Sequence, residues 1–380
     1  MAKIRYKILV NLPKELYNFS YLFTGLYELK KEKIIDLSFR WRYVKNKKRI
    51  IVKKDGEIII DKHNNPKLTY FSLLDRKTNI KTNFSIDLSD NSSVYSINAF
   101  NKSDFVFKRS FDKKNNKYLS TEHNKKLHNL GITISTLPDN LSLYYKLILI
   151  YGVFINCFLD YLKLDRNLIK RIHVFKKKII SLKKINNIRP LSMFMKPIEV
   201  KETSNKIFYQ KRCFPHEPNE DIKDLHRQRY EIVKLLKNKY PDNFYGGLSS
   251  SKIVMEKFSD AITNLSSNTR EFIKSVEKCD ITIYTRGISD SIGFTLPEFF
   301  SQGKVVISER IKNNIPIDIC DGKEVVFFDD DDSLIDAINN ILSNPSKMNT
   351  LKESGRLYFE NHVDPKQNMR RILKIMGCEI

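Results

Sequence analysis

The sequence is poor in cysteine, and its cysteines are not placed for a structural role. Only five of 380 residues are cysteine, and they are Cys157, Cys213, Cys279, Cys320 and Cys378. They are scattered, and no two of them form a C-x-x-C arrangement. This spacing argues against a zinc site and against a disulfide framework. It favours a reducing compartment, so we expect a cytoplasmic protein.

Long apolar runs are also missing. The amino-terminal segment Met1–Val10 has too short an apolar run for a signal peptide. The most membrane-like stretch, Leu147–Leu159, is interrupted by Asn156 and falls short of the roughly 20 apolar residues that a spanning helix needs. A membrane-spanning protein is therefore not expected.

Acidic residues are few relative to basic ones. The chain has 44 Asp and Glu against 67 Lys and Arg, which gives a formal net charge of +23 and a pI near 9.6. Such a charge attracts nucleic acid, anionic lipid or phosphorylated substrates. A second explanation is a compositional bias, because Lys, Asn and Ile are used freely throughout. With 41% hydrophobic and 29% charged residues, the chain is globular and long enough for two domains.

The first half of the chain opens as an α/β sheet. The patterns predict a buried strand at Tyr6–Leu12, an amphipathic helix at Leu16–Lys31 and a second strand at Ile34–Phe39. A β-hairpin is predicted at Arg49–Ile60, turning at Asp55-Gly56, and it indicates an antiparallel insertion.

Two of the predicted strands end in a Lys-Arg pair. The first pair is Lys108-Arg109, at the end of a strand that begins near Asp104. These cations could face a phosphate group of a ligand, or they could be solvated loop charges. The second pair, Lys211-Arg212, follows a strand at Lys206–Gln210.

An apolar helix and a polybasic segment end the first half. Leu141–Leu162 is predicted to be a long helix, apolar on most of its surface, and Lys163–Arg189 holds ten basic residues. This combination resembles a peripheral surface that contacts an anionic membrane. The alternative is a buried helix followed by a solvated linker, with Pro190 and Pro197 bracketing the crossing between domains.

The second half alternates strands and helices, which indicates a doubly wound sheet that binds its ligand beyond the carboxyl ends of the strands. Asp221 is predicted to cap a helix that runs to about Lys239. A strand at Asn243–Leu248 is predicted to end in the pair Gly246-Gly247. The acidic run Asp329–Asp332 predicts a turn and a helix N-cap rather than a metal site.

The stretch Ile281–Ser308 organises this half. It predicts a strand at Ile281–Thr285, a polar loop at Arg286–Gly293, a short helix with Pro297 in its first turn, and a helix end at Gly303. A loop that leads from a strand into a helix N-terminus presents N–H groups to an anion.

Two carboxylates in this stretch, Asp290 and Glu298, stand eight positions apart, and Gly303-Lys-Val-Val follows. This pattern resembles the donor-site motif of retaining GT-B glycosyltransferases, and the resemblance extends over roughly residues 207–380. Three positions depart from the family. Asp290 replaces a glutamate, Lys304 replaces a frequent proline, and Glu217 replaces the lysine that the family pairs with the basic residue corresponding to Arg212.

The resemblance implies an α/β protein of the GT-B type, with two Rossmann-like domains that face each other across a cleft. Residues 1–190 would form an N-terminal acceptor domain with a β-hairpin insertion. Residues 205–380 would form a C-terminal nucleotide-sugar donor domain whose last helix crosses back. The implied enzyme moves a sugar from a nucleoside-diphosphate sugar to a glycan or lipid-linked acceptor, with retention, in surface polysaccharide biosynthesis. No metal or other cofactor is implied, and nucleic acid is not expected as a partner.

The resemblance also assigns roles to residues. Asp290 and Arg212 are the expected catalytic residues: Arg212, helped by Lys211 or Arg286, neutralises the diphosphate, and Asp290 holds the donor sugar and its developing positive charge. Glu298 is expected to accept hydrogen bonds from the ribose. The expected donor-binding residues are Arg212, Gly246, Gly247, Arg286, Gly287, Ser291, Ile292, Gly293, Phe294 and Glu298.

Three alternative functions stay open. A transferase of polyol phosphates on the same architecture is expected to have a histidine-centred site, and no such site is evident in the sequence. A basic nucleic-acid-binding protein would suit the charge, although the run around Lys163–Lys184 lacks a recognition motif. A catalytically degenerate GT-B scaffold would explain the departures at Asp290 and Glu217.

Overall fold

The computed structural model describes residues 4–12, 16–40, 48–63, 65, 67–151, 187–195, 197–198 and 204–380. The chain divides into two compact units. The first unit comprises Met1–Leu191, Asn314–Pro316 and Asp364–Ile380, and the second comprises Ser192–Asn313 and Ile317–Val363.

Ahead of residue 191, the described residues of the first unit contain eleven strands, four helices and a helical stretch at residues 143–151. The strands are β1 (Tyr6–Asn11), β2 (Ile35–Arg40), β3 (Arg49–Val52), β4 (Ile58–Asp61), β5 (Leu68–Asp75), β6 (Ile80–Asp87), β7 (Val94–Ser96), β8 (Phe105–Lys108), β9 (Leu127–Asn129), β10 (Thr136–Leu137) and β11 (Arg189–Pro190). The helices are α1 (Leu16–Lys31), α2 (Ile97–Lys102), α3 (Lys113–Asn116) and α4 (Thr121–Lys126).

The main sheet of the first unit is mixed. Its strand order is β2-β1-β5-β6-β8-β9, and β5 runs antiparallel to both of its neighbours while the other pairs are parallel. The predicted hairpin is confirmed: β3 and β4 pair antiparallel around Gly56, whose φ is 93°, and they form a separate sheet with β7. The α/β class expected for this half is therefore confirmed, with antiparallel strands added.

The first Lys-Arg pair is buried at the carboxyl end of β8. Lys108 is 1% exposed, and its Nζ lies 3.5 Å from Oδ2 of Asp87, which is also buried. Arg109 is 7% exposed and lies 3.1 Å from Oδ1 of Asp90, which also accepts a hydrogen bond from Lys67. The interpretation of Lys108 and Arg109 as solvated loop charges is wrong, because both cations are paired with carboxylates of their own unit.

The predicted long helix at 141–162 is described only in part. Residues 143–151 are helical, and the rest of that helix, like the polybasic segment up to residue 186, lies outside the described residues. Among the residues that the structure does describe, no helix is long and apolar enough to cross a membrane.

The second unit alternates strands and helices as the sequence pattern predicts. Its strands are β12 (Ile207–Lys211), β13 (Phe244–Ser249), β14 (Ile262–Thr263), β15 (Ile281–Tyr284), β16 (Val305–Glu309) and β17 (Val326–Phe328). Its helices are α5 (Glu220–Lys239), α6 (Lys252–Lys257), α7 (Thr269–Glu277), α8 (Thr295–Ser301), α9 (Asp331–Leu342) and α10 (Pro345–Tyr358).

The sheet of the second unit is parallel throughout, with the order β14-β13-β12-β15-β16-β17. Its central strands are apolar and buried on both faces, as parallel sheets covered by helices require. The chain fills one side of the sheet from β12 to β14 and then the other side from β15 to β17. The point where the strand order reverses therefore lies between β12 and β15.

The chain returns to the first unit in its last helix, α11 (Pro365–Ile375). This helix packs against α1. A Cβ atom on Gly25 would lie 2.2 Å from the carbonyl O of Pro365, which explains a glycine in the middle of α1. Nδ2 of the buried Asn368 donates hydrogen bonds to Tyr21 Oη (2.9 Å) and to the carbonyl O of Leu130 (3.0 Å).

Candidate functional site

The reversal between β12 and β15 is the place where a doubly wound sheet is expected to bind its ligand. The two strands are parallel neighbours, so their carboxyl ends meet at one edge of the sheet. Lys211 ends β12 and Arg212 follows it, while Arg286 begins the loop that follows β15. Basic side chains are thus gathered where the fold favours an anionic ligand.

The loop after β15 is held in a strained turn. The N–H of Gly287 donates to the carbonyl O of Ser291 over 2.7 Å. Between them, Ser289 and Asp290 have left-handed φ angles of 54° and 57°. Such a conformation costs a non-glycine residue about 1–2 kcal/mol. The surrounding contacts must hold this turn in place, and Arg286 makes several of them.

Arg286 lies among three carboxylates. Its Nη1 is 2.5 Å from Oδ1 of Asp221, and its Nε is 3.4 Å from Oδ1 of Asp290. Glu309 accepts a hydrogen bond from the backbone N–H of Arg286 over 3.0 Å. Burial alone would lower the pKa of Arg286, but the carboxylates, with Asp221 foremost, hold it above its ordinary value. The guanidinium is therefore a charged anchor of the loop.

Asp221 fixes the same loop from helix α5. Its Oδ2 accepts a hydrogen bond from the backbone N–H of Ser289 over 3.0 Å, beside the contact of its Oδ1 with Arg286. Burial would raise the pKa of Asp221, but these two partners hold it below its ordinary value. The prediction that Asp221 caps the helix is wrong, because Asn219 is the N-cap and accepts from the N–H of Ile222. Asp221 lies in the first turn and binds outward instead.

The predicted catalytic carboxylate Asp290 lies at the open side of the loop. Its side chain is 38% exposed, and Nζ of Lys312 is 3.1 Å from its Oδ1. Asp290 and Lys312 line a small depression that is open to solvent, together with Arg286 and Ile292. Asp290 can therefore meet a ligand from solvent while two cations hold its position.

The second predicted carboxylate, Glu298, lies within α8 and is half-buried. No described residue donates a hydrogen bond to its carboxylate. Burial raises its pKa from 4.5 to about 8, and the nearby Lys211 acts in the opposite direction. At neutral pH, Glu298 therefore carries a proton for much of the time and can both donate and accept hydrogen bonds.

Lys211 is buried at the end of β12. Its Nζ donates long hydrogen bonds to the carbonyl O of Thr285 (3.4 Å) and to Oγ1 of Thr295 (3.3 Å), and it lies 5.2 Å from the centre of the Tyr284 ring. Burial lowers the pKa of Lys211 to about 7. Among the described residues no carboxylate lies within 4 Å of this ammonium group, so its charge is largely uncompensated.

Arg212, the predicted diphosphate ligand, is exposed at the end of β12. Its guanidinium lies 5.7 Å from the centre of the Phe214 ring. Its carbonyl O accepts a hydrogen bond of 2.5 Å from Nη1 of Arg229 on α5. The side chain of Arg212 is therefore free to reach a ligand while its backbone is fixed.

The glycine pair has a different place from the predicted one. Gly246 and Gly247 do not end their strand but lie inside β13, opposite Tyr209 and Gln210 of β12. Both have positive φ angles, 159° and 136°, and a Cβ on Gly246 would lie 2.0 Å from the carbonyl O of Tyr209. The close approach of β12 explains why a side chain is not tolerated at Gly246. The part of both glycines in donor binding stays a prediction.

Two of the loop N–H groups that were expected to face the diphosphate already have partners. The N–H of Ser291 donates to the carbonyl O of Ile288 (3.1 Å), and the N–H of Gly293 donates to Oη of Tyr284 (2.8 Å). Ser291 is also buried. In this conformation these two groups shape the loop, and their part in donor binding stays a prediction.

Glu217, which departs from the family pattern, belongs to a small cluster of its own. It accepts hydrogen bonds from Nδ1 of His226 (2.8 Å) and from Nζ of Lys257 on α6. Nε2 of His226 accepts from the N–H of Phe214 over 2.8 Å. The cluster fixes the loop after Arg212 through the hydrogen bond between Phe214 and His226, so Glu217 has a structural role.

Sequence patterns did not reveal Arg229 and Lys312. Arg229 stands four residues after Leu225 and three before Ile232, a helical spacing that places it on the apolar face of α5. Lys312 lies in a segment without periodicity, and no local signal indicates its contact with Asp290.

Comparisons with known proteins add the following. No protein-family model and no curated protein matches the chain. One similar solved structure is the C-terminal domain of a group 1 family glycosyl transferase (LpcC) from Francisella tularensis, with 12% identity, 45% of this chain and 96% of that chain covered, and a TM-score of 0.32. Another is HepE from Anabaena in complex with UDP and glucose. It is 11% identical, 72% of this chain and 78% of that chain are covered, and the TM-score is 0.36. A third is UDP-GlcNAc 2-epimerase from Neisseria meningitidis bound to UDP-GlcNAc. It is 16% identical, 73% of this chain and 62% of that chain are covered, and the TM-score is 0.35.

Proposed function

We propose that the second unit binds a nucleoside-diphosphate sugar and that the protein is a glycosyltransferase. The observation that carries this proposal is the set of basic side chains at the carboxyl ends of β12 and β15. Lys211 and Arg212 come from one strand, Arg286 comes from the other, and Arg229 lies against both. Preorganised cations at such an edge suit the negative charge that develops on a diphosphate leaving group.

The two carboxylates have separate roles in the proposed complex. Glu298, which is half-buried and whose carboxylate accepts no hydrogen bond from a described residue, contacts the hydroxyl groups of the ribose. Asp290, exposed beside Arg286 and Lys312, contacts the donor sugar and stabilises positive charge at its anomeric carbon. Arg212 contacts the diphosphate, and Arg286 keeps the loop in place through Asp221.

The finer features of the reaction are also proposals. The sugar is transferred with retention of configuration and without a metal, because basic side chains take the place of a divalent cation beside the diphosphate. The acceptor is a glycan or a lipid-linked glycan, and the first unit binds it. The protein works in surface polysaccharide biosynthesis, in the cytoplasm or at the inner face of the membrane.

Nucleotide binding tests the donor site directly. The melting temperature of the purified protein is measured with UDP, GDP, ADP, CDP and dTDP, with and without Mg²⁺. We expect one nucleotide to raise it in both conditions, and Glu298→Ala to weaken that shift. Glu256→Ala is the matched control, because Glu256 is an exposed glutamate on α6 of the same unit. If no nucleotide changes the melting temperature, the donor site does not exist and a scaffold role is favoured.

Turnover tests the reaction class. The protein is incubated with nucleoside-diphosphate sugars that contain the nucleotide found to bind. The nucleoside diphosphate released by slow hydrolysis of the donor is then measured. Glycosyl transfer to water releases the diphosphate and a sugar with retained configuration. Formation of an isomeric nucleotide sugar without release of diphosphate would contradict the transferase proposal.

A further inference from the structure

Arg229 is a buried arginine in the third turn of α5. The residue is only 5% exposed to solvent. Nη1 donates to the carbonyl O of Arg212 over 2.5 Å, and Nη2 donates a longer bond, 3.4 Å, to the carbonyl O of Arg286. These two carbonyl groups belong to the loops that follow β12 and β15. One side chain thus bridges the two loops at the reversal of the sheet.

The charge of Arg229 has no carboxylate partner among the described residues. Its Nε is buried and lacks a hydrogen-bond acceptor there. Burial lowers the pKa of Arg229, and the positive charges of Arg212 and Arg286 act in the same direction. On the same helix, Asp221 is already engaged by Arg286 and Ser289. The described contacts of this buried cation are two carbonyl groups and the face of the Phe214 ring, whose centre lies 5.6 Å away, and without an anion it is poorly compensated.

A purely structural clamp would not need a charge at this position. Two carbonyl acceptors could be satisfied by neutral donors, which cost less to bury than a guanidinium. A guanidinium becomes favourable when an anion approaches from outside, because its positive charge then acts through a poorly screened interior. The same side chain also keeps Arg212 and Arg286 at a fixed separation.

We propose that Arg229 is a positioning residue that fixes the loops carrying Arg212 and Arg286 and, from behind them, completes a cationic cradle for the diphosphate of the donor. The proposal rests on the proposed function, since it takes the nucleotide donor as the ligand. The bound diphosphate supplies the negative charge that the described part of the protein does not place beside Arg229.

The test uses inorganic pyrophosphate and orthophosphate as probes, with the full chain. Binding is measured by calorimetry, and stability by thermal unfolding, for wild type, Arg229→Met and Arg229→Lys. Arg227→Met is the matched control, because Arg227 is an exposed arginine on the same helix, paired only with Asp224 in the structure. The control should behave as wild type in every measurement.

We expect Arg229→Met to weaken pyrophosphate binding at least tenfold while the melting temperature of the free protein changes by only a few degrees. Orthophosphate, which can touch one loop at a time, should lose less affinity than pyrophosphate. This change in selectivity would not follow from general destabilisation. Arg229→Lys should give an intermediate affinity, since it keeps the charge but cannot bridge both carbonyl groups.

Several outcomes would overturn the proposal. If Arg229→Met melts far lower but its folded form binds pyrophosphate as wild type does, Arg229 is only structural. If Arg229→Met does not fold, Arg229→Lys decides, and wild-type affinity and selectivity in that variant would overturn the proposal. If wild type binds pyrophosphate but none of the nucleotides, the cradle stands and the proposed function fails. If wild type binds neither, both fail.

Discussion

Two strands of this chain end in a Lys-Arg pair, one in each unit, and the two pairs have different surroundings. In the first unit, Lys108 lies beside the buried Asp87, and Arg109 lies beside Asp90. In the second unit, Lys211 has two long hydrogen bonds and no carboxylate within 4 Å among the described residues, and Arg212 is exposed.

The comparison separates cations that are paired with carboxylates of their own unit from cations that have no such partner among the described residues. The sequence signal is the same in both places, a Lys-Arg pair at a strand end. What differs is the next strand or loop: β6 ends at Asp87, whereas no acidic residue ends the strands on either side of β12. A cation with its own carboxylate has no need of an anion from solution. The unmatched cations mark the candidate site.

The largest expected effect is in the first unit. Lys108→Met should lower the free energy of unfolding by about 3–5 kcal/mol, because it leaves the carboxylate of Asp87 buried without its charged partner. Urea unfolding monitored by circular dichroism measures this loss. The double variant Asp87→Asn with Lys108→Met should recover part of it. If Lys108→Met were nearly as stable as wild type, the pair would not be the structural element that we infer.

A smaller effect is expected at Glu298, where burial raises the carboxyl pKa from 4.5 to about 8. Between these values the folded protein holds a proton that the unfolded chain releases, so this group makes wild type less stable as pH rises. Glu298→Gln lacks the effect. The shift corresponds to about 4 kcal/mol at most, and solvent access to the half-buried side chain reduces it, so the stability of the variant relative to wild type should increase from pH 4.5 to pH 8 by about 2 kcal/mol. A difference that did not change with pH would contradict the raised pKa.

The smallest effect, with the opposite slope, is expected at Lys211, where burial lowers the pKa from 10.5 to about 7. Between these values the unfolded chain holds a proton that the folded protein lacks, so wild type gains stability as pH rises. Lys211→Met should be more stable than wild type at pH 6 and should lose this advantage towards pH 10. Opposite slopes for Lys211→Met and Glu298→Gln would show that folding lowers the pKa of Lys211 and raises that of Glu298.

Local signals predicted the second unit well. The end of α8 is an example: the N–H of Gly303 donates to Phe300 and that of Lys304 donates to Phe299, the pattern of a glycine-terminated helix. The N-cap in the acidic run is another, since Asp330 accepts from the N–H of Ser333 and forms a capping box. In both places the residues that decide the structure are close neighbours in the chain.

The predictions were wrong where contacts between distant parts of the chain determine the structure. Gly246 looked like a strand end, but it lies mid-strand because the backbone of Tyr209 approaches too closely for a side chain. Asp221 looked like a cap, but Asn219 takes that role and leaves Asp221 to bind Arg286, 65 residues away. No sequence pattern assigned a role to Arg229. Only the fold shows the two carbonyl groups that it bridges.

The packing of α11 on α1 has a consequence for the order of folding during synthesis. The first unit is completed by residues 364–380, after the whole second unit has been made. The second unit can therefore close its parallel sheet on the ribosome while α1, with the notch at Gly25, still lacks the helix that fills it. During that interval the apolar side of α1 lacks its contact with α11, so the first unit completes its packing only after residues 364–380 have been made.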